Sequence, residues 1–141
     1  MPRLDPFAGP GFNAMSLLSK AVEDDAEFPL GLIELVKLRC SQINGCSYCV
    51  RTHIDKALTA GETQDRVDNV ATWQEHEAFT DEERAVFALA EAVTLISDDR
   101  VPDEVLDKAI AELGEARTQQ MVWIIAVINS FNRVAITARI H

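Results

Sequence analysis

Basic residues are in short supply in this sequence, and the shortage excludes several classes of partner. Lysine and arginine together number 13, against 23 aspartates and glutamates, which gives a net charge of −10. A charge of this sign repels phosphate backbones and anionic lipid surfaces over the whole molecule. We therefore expect neither nucleic acid nor a membrane surface as a partner.

Long apolar segments are also missing. The longest run, Met121 to Ile128, is followed by polar residues and is far shorter than the roughly 20 residues that cross a bilayer. The N-terminal residues contain no apolar stretch typical of a signal peptide. We expect a cytoplasmic protein in which the apolar run forms a buried helix, with Trp73 and Trp123 in the core.

Cysteine is rare, with three residues in the chain. An odd number of cysteines in a reducing compartment argues against a structural disulfide framework. Cys40 stands apart from the other two, and we expect it to be a small buried side chain. Cys46 and Cys49 form a Cys-x-x-Cys motif, and this spacing favours either a redox pair or a metal site.

Helical patterns dominate the chain, while the two-residue alternation that indicates strands is missing. We predict an all-α fold, with one oligomeric helical domain over residues 1–141 and an irregular N-terminal arm at 1–12. Asn44 and Gly45 are expected to end the second helix, because both tolerate the left-handed conformation. The six to seven predicted helices cover about 13–23, 29–43, 46–60, 63–75, 80–97, 102–113 and 115–138.

Three reactive side chains are expected on one side of the third helix. At about 100° per residue, Cys46, Cys49 and His53 fall within roughly 60° of one another. The two cysteines occupy the first turn, where unpaired backbone N–H groups favour a thiolate, and His53 lies one turn after Cys49. The cysteines are also close enough to form a disulfide once one of them has been oxidised.

Glu34, on the preceding helix, is expected to lie beside His53. If the two helices run antiparallel from Gly45, Glu34 and His53 lie roughly 16 and 12 Å along them. A carboxylate next to an imidazole fixes its tautomer and raises its basicity, and the imidazole can then take a proton from a thiol. These four residues together indicate a proton relay that serves a redox-active cysteine pair.

Two other interpretations of the cysteine motif have to be weighed. A structural zinc site would use Cys46, Cys49 and His53, but structural zinc normally has four ligands and this chain has no second pair of cysteines or histidines. Glu34 would be an unusual fourth ligand. A thioredoxin fold would require strands before the motif, and the preceding segment has a helical pattern instead.

The segment from Glu34 to His53 resembles the signature of the alkylhydroperoxidase D-like (AhpD-like) branch of the carboxymuconolactone decarboxylase superfamily. Glu34, Cys46, Cys49 and His53 all fall at the intervals of that family, which is far more specific than a Cys-x-x-Cys motif alone. The stretch from Asn129 to Arg133 is similar to the Asn-x-x-Asn-Arg stretch near the C-terminus of the family.

The resemblance implies an all-helical fold that assembles into homotrimers or homohexamers and uses no metal or organic cofactor. It also implies that Cys49 attacks the peroxide, that Cys46 resolves the resulting sulfenic acid into a disulfide, and that His53 and Glu34 relay protons. Some members carry a second histidine between the cysteines, where this chain has Tyr48.

On these grounds we expect an antioxidant enzyme, namely a thiol-dependent peroxidase. Its substrate would be hydrogen peroxide or a small organic hydroperoxide, and its partner a dithiol reductant such as a lipoyl or thioredoxin-like protein. Two alternatives remain open at this point. One is a general disulfide oxidoreductase without peroxidase activity, and the other is a zinc-stabilised interaction module.

Overall fold

The computed structural model describes residues 2–141, and its regular structure is helical throughout this range. The all-α prediction is confirmed. Residues 2–141 contain eight α-helices and one short 3₁₀ turn. In chain order these elements are α1 (Gly9–Asp25), α2 (Leu30–Asn44), α3 (Ser47–Thr59), α4 (Gln64–Asp68), the 3₁₀ turn (Val70–Thr72), α5 (Asp81–Thr94), α6 (Ile96–Asp99), α7 (Asp103–Leu113) and α8 (Glu115–Thr137).

The N-terminal arm is shorter than predicted. An irregular segment was expected over 1–12, but α1 begins at Gly9, and Met1 lies outside the described residues. The reason is Pro10, which occupies the first turn of α1. A proline there loses no hydrogen bond, since the N–H groups of the first turn have no partner within the helix. The Gly-Pro pair therefore starts a helix within a segment that was expected to be irregular.

Two predicted helices are divided in the structure. The segment predicted over 63–75 forms α4 and the 3₁₀ turn, and Asn69 between them bonds through its side chain to the carbonyl oxygen of Asp65. Such side-chain bonds compete with continued helix formation. The segment predicted over 80–97 divides at Leu95 into α5 and α6. Its predicted beginning is correct, because Thr80 and Glu83 form the reciprocal capping box.

Helix α2 forms the centre of the molecule. It packs against α3, α5 and α8, and Leu35, Val36 and Leu38 are fully buried along it. Helix α8 buries Met121, Ile124 and Ile125 in the same core. Because α2 is covered on several sides, even polar residues on it lie away from water, and this determines the environment of Glu34.

The two tryptophans differ in position. Trp73 is buried, and its Nε1 donates to a carboxylate oxygen of Glu91. The core assignment of Trp123 is wrong, because its side chain is 50% exposed. α8 turns its opposite face toward the core, which leaves Trp123 beside Leu18 of α1 at the edge of a shallow groove.

Within residues 2–141, no helix combines the length and the apolarity needed to cross a bilayer.

Candidate active site

The turn between α2 and α3 places the cysteine pair at the beginning of α3. Gly45 ends α2 in the left-handed conformation, with φ of 73°, which glycine adopts at little cost. The N–H of Cys46 then donates to the carbonyl oxygen of Ser41 over 3.0 Å. Cys46 is the N-cap of α3, and its sulfur accepts a bond from the N–H of Cys49 over 3.3 Å.

The sulfur atoms of Cys46 and Cys49 are bonded to each other, with Cα atoms 5.2 Å apart. The two residues are 1% and 5% exposed, respectively. They differ in their surroundings, because Cys49 is among the residues that line a large cavity and Cys46 is not. A molecule in this cavity would therefore contact Cys49 and not Cys46.

Cys40 is in a different environment from the pair. It is a free thiol, fully buried in the core, and its sulfur accepts a hydrogen bond from the hydroxyl of Thr94. Burial raises the pKa of Cys40 to about 11, because a thiolate is poorly solvated there. Cys40 is thus a protonated core residue at neutral pH.

Glu34 and His53 are brought together as the hairpin geometry predicts. Oε2 of Glu34 lies 2.7 Å from Nδ1 of His53, and both side chains are almost completely buried. An ionised carboxylate can only accept a hydrogen bond, so Nδ1 is the protonated nitrogen. Nε2 of His53 then carries the lone pair and is the nitrogen that can accept a proton.

A third charged residue, Lys37, joins this pair. Its Nζ lies 3.8 Å from Oε1 of Glu34 and forms an ion pair with Glu23 of α1. Burial opposes ionisation of Glu34, but the hydrogen bond from His53 and the charge of Lys37 outweigh it, so the pKa of Glu34 is lowered. Sequence reasoning missed Lys37, although its position three residues after Glu34 places both on one helix face.

The cavity next to Cys49 has a volume of about 990 Å³. Cys49, His53 and Lys37 of α2 line it, together with residues of the N-terminal arm, α1, α3 and α8. Tyr48, one of the two residues between the cysteines, lines the cavity, and its ring centroid is 6.2 Å from that of Phe7. Sequence reasoning did not identify this cavity. Its larger apolar side chains are Phe7, Phe12, Met15, Val127, Ile128, Phe131 and Val134.

The asparagines near the C-terminus connect α8 to the turn that carries the cysteines. Nδ2 of Asn44 donates to Oδ1 of both Asn129 and Asn132, over 2.8 and 2.9 Å. Nδ2 of Asn132 donates in turn to the hydroxyl of Ser41. Asn132 is fully buried, and a buried amide has to find partners of this kind. The Asn-x-x-Asn pattern was noticed in the sequence, but its contacts were not predicted.

No group of three or more histidine, cysteine or acidic side chains is arranged to hold a metal ion in the part of the chain that the structure describes. The three residues considered for zinc are engaged with other groups. Cys46 is bonded to Cys49, and Nδ1 of His53 is taken up by Glu34.

Comparison with solved structures shows the class of fold. A protein of unknown function from Agrobacterium tumefaciens, a candidate antioxidant defence protein AhpD, matches with a TM-score of 0.95 and 27% identity, covering 100% of this chain and 97% of that one. The debrominase Bmp8 matches with a TM-score of 0.82 and 22% identity, covering 91% of this chain and 68% of that one. The fold is therefore the all-helical AhpD-like fold.

The sequence comparisons identify the family. The sequence model of the Carboxymuconolactone decarboxylase family matches residues 12–92, which is more than half of the chain. The uncharacterised protein YdfG of Bacillus subtilis (strain 168) is 40% identical over 103 residues, covering 73% of this chain and 70% of that protein. This chain belongs to the carboxymuconolactone decarboxylase family and is an AhpD-like member of it.

Proposed function

We propose that this protein is a thiol-dependent peroxidase in which Cys49 attacks the peroxide and Cys46 resolves the product. The observation that carries the proposal is the position of Cys49. The sulfur of Cys49 is bonded to Cys46, and Cys49 lines the cavity together with His53. Nδ1 of His53 is hydrogen-bonded to Glu34. A nucleophile and a base thus line one cavity, and a buried carboxylate orients the base.

The first step begins from the reduced protein. Nε2 of His53 takes the proton of the Cys49 thiol, and the thiolate attacks the terminal oxygen of the hydroperoxide. The O–O bond breaks, Cys49 becomes a sulfenic acid, and the leaving alkoxide takes the proton from His53 to form an alcohol. Glu34 stabilises the positive charge that His53 carries between these two transfers.

The second step regenerates the disulfide that the structure contains. The Cys46 thiol attacks the sulfenic sulfur of Cys49, the S–O bond breaks, and water leaves with the thiol proton. A dithiol donor then reduces the disulfide by exchange and is itself oxidised to a disulfide. A lipoyl group or a thioredoxin-like protein has the chemistry that this last step requires.

The cavity supports an organic hydroperoxide as substrate. Its volume of about 990 Å³ is in the upper part of the range for small-molecule sites, whereas hydrogen peroxide is little larger than water. Phe12, Met15 and Phe131 supply apolar contacts that an alkyl or aryl group would satisfy and hydrogen peroxide would not.

We also propose that the protein is cytoplasmic and works as a homotrimer or homohexamer. Helix α1 has no buried residue along its 17 positions, and Leu18 on it is 37% exposed and lines the shallow groove between α1 and α8. Trp123 of α8 lies beside this helix and is half exposed. Apolar side chains grouped in this way are typical of a surface that another subunit covers.

A peroxide-consumption assay tests the proposed function. The reduced protein is supplied with either cumene hydroperoxide or hydrogen peroxide and with a dithiol donor, and the Cys49→Ser variant is the blank. We expect turnover with both peroxides, faster with cumene hydroperoxide, and a loss of two free thiols per chain after one equivalent of peroxide.

The other outcomes of this assay identify the alternatives. Exchange with a disulfide substrate in the absence of any peroxide turnover would indicate a general disulfide oxidoreductase. One bound zinc ion per chain, found by metal analysis together with unreactive cysteines, would indicate a zinc-stabilised module. Either result would refute the peroxidase proposal.

A further inference from the structure

Lys37 is an unusual residue, because it is a lysine in the buried part of a central helix. Its side chain is only 9% exposed, and lysines are almost never buried to this extent unless they are paired. It is placed between two carboxylates, with Glu23 of α1 on one side and Glu34 of α2 on the other. Burying this charge is costly, so its role has to be sought in the groups that it contacts.

We propose that Lys37 is a positioning residue of the redox site, which keeps Glu34 ionised and aligned with His53. The inference rests on the proposed thiol chemistry of Cys49 and adds a residue to it. The two oxygens of Glu34 divide their contacts, because Oε1 faces Lys37 and Oε2 accepts the hydrogen bond from His53. The carboxylate is thus fixed from both sides.

The other charged groups around Glu34 cannot replace Lys37. His53 is the group that Glu34 serves. Lys56 of α3 also lowers the pKa of Glu34 through its charge, but it is exposed and forms no ion pair with Glu34 within residues 2–141. Glu91 of α5 forms its ion pair with Arg39 and not with Lys37 or Glu34. Helix α8 lines the cavity with residues that do not titrate in the usual pH range. Lys37 is therefore the fixed cation nearest to the carboxylate.

Without this cation, one of the interactions that offset burial would be lost, and burial favours the protonated carboxyl group. A Glu34 that is protonated more readily stabilises the imidazolium of His53 less well. The imidazolium of His53 and the thiolate of Cys49 form together, by transfer of one proton. If the imidazolium is less stable, a higher pH is needed to form the same amount of thiolate.

Glu23 extends the chain of charges to a third helix. The order Glu23, Lys37, Glu34, His53 passes from α1 through α2 to α3. Helix α1 also forms a wall of the cavity, and Glu23 itself is part of that wall. In our proposal α1 contacts the substrate. The ion pair between Glu23 and Lys37 therefore connects this helix to the residues that activate the sulfur.

The test measures the rate at which iodoacetamide alkylates reduced Cys49 as a function of pH, in a Cys46→Ser background. Cys40 is buried with a pKa of about 11 and does not contribute in the native protein. Lys37→Met removes the charge and Lys37→Arg retains it. Lys108→Met, an exposed lysine on α7, is the matched control, and circular dichroism verifies that each variant is folded.

We expect Lys37→Met to move the midpoint of the alkylation profile upward by about half a pH unit or more, as the loss of a neighbouring opposite charge implies. Lys37→Arg should restore most of the shift, and Lys108→Met should cause none. In a Glu34→Gln background, Lys37→Met should cause no further shift, because the group through which Lys37 acts is no longer ionisable.

Two results would overturn the inference. One is a lower rate with an unchanged midpoint in Lys37→Met, which indicates a structural role only. The other is an equal shift in the Glu34→Gln background, which indicates that Lys37 acts directly on the sulfur. If Lys37→Met does not fold, Lys37→Gln supplies the same comparison with a smaller loss of polarity. Alkylation needs no peroxide, so a failure of the peroxidase proposal would appear separately in the turnover assay.

Discussion

Asn44, the last residue of α2, donates a hydrogen bond of 2.9 Å to Asn132 of α8, although 88 residues separate them in the sequence. Asn132 also donates to the hydroxyl of Ser41 over 3.0 Å. The carbonyl oxygen of Ser41 accepts the N–H of Cys46. The long final helix is therefore connected, through side-chain amides, to the turn from which the cysteine pair begins.

The first prediction concerns Asn132, which is fully buried and bonded on both sides. Asn132→Ala should lower the free energy of unfolding by about 1–3 kcal/mol, since it removes one buried hydrogen-bond partner from Asn44 and one from Ser41. Urea denaturation measures the change. Ser130→Ala on the exposed side of α8 is the control and should stay within about 0.5 kcal/mol of wild type. Equal effects of the two substitutions would contradict the role of Asn132.

The second prediction separates the roles of the two cysteines. Cys49→Ser removes the sulfur of the cysteine that lines the cavity, and peroxide turnover should fall to background. Cys46→Ser leaves Cys49 able to react but without a resolving partner, so one sulfenic acid per chain should accumulate and react with a dimedone-type probe. Mass spectrometry after labelling measures both. If Cys46 is labelled in the Cys49→Ser variant, the two roles are exchanged.

The third prediction concerns the base. His53→Ala should slow the first oxidation by about 10²–10⁴-fold, the usual contribution of a positioned proton acceptor. The disulfide should still form, because both sulfurs remain. Stopped-flow measurement of the first turnover tests this. His76→Ala is the control, since His76 is paired with Asp65 and is not among the cavity residues. A normal rate in His53→Ala would remove His53 from the mechanism.

The fourth prediction is a pH dependence of stability. Burial raises the pKa of Glu34. The hydrogen bond from His53 and the charge of Lys37 lower it by more than burial raises it, so the pKa in the folded protein lies below the ordinary 4.5. A lowered folded pKa stabilises the protein above the ordinary value, and this contribution is lost as the pH falls through the folded value. The stability difference between wild type and Glu34→Gln should therefore be constant near neutrality and shrink below about pH 4.5. Guanidinium denaturation at several pH values measures it, and a difference that grows toward acid would be inconsistent with this sign.

The fifth prediction concerns assembly. Light scattering of the wild-type protein should give the mass of three or six chains. Trp123→Glu, which places a charge on the exposed apolar side of α8, should shift the protein to smaller species, because burying an unpaired carboxylate in an interface is costly. Leu106→Glu on α7, also exposed, is the control. A monomeric wild-type protein at micromolar concentration would exclude the proposed trimer or hexamer.

The local part of the site was predictable from the sequence, because it depends on helix geometry alone. Glu34 and His53 lie on consecutive helices joined by a short turn at Gly45, and the rise per residue places them at similar heights. The positions of Lys37 relative to α1 and of Phe131 relative to the cavity depend on how distant helices pack. Trp123 was mispredicted for the same reason. Tryptophan is usually a core residue, but the orientation of α8 leaves Trp123 at the surface.

The separation of Glu34 and His53 by only 19 residues has a consequence for the order of folding. Contacts between neighbours in sequence cost little loop-closure entropy and form quickly. The helical hairpin that carries Glu34, both cysteines and His53 can therefore assemble early, whereas the cavity needs α1 and α8 from opposite ends of the chain. The reactive thiols are thus gathered before the walls that restrict access to them are in place, and a newly made chain is most vulnerable to unselective oxidation in that interval.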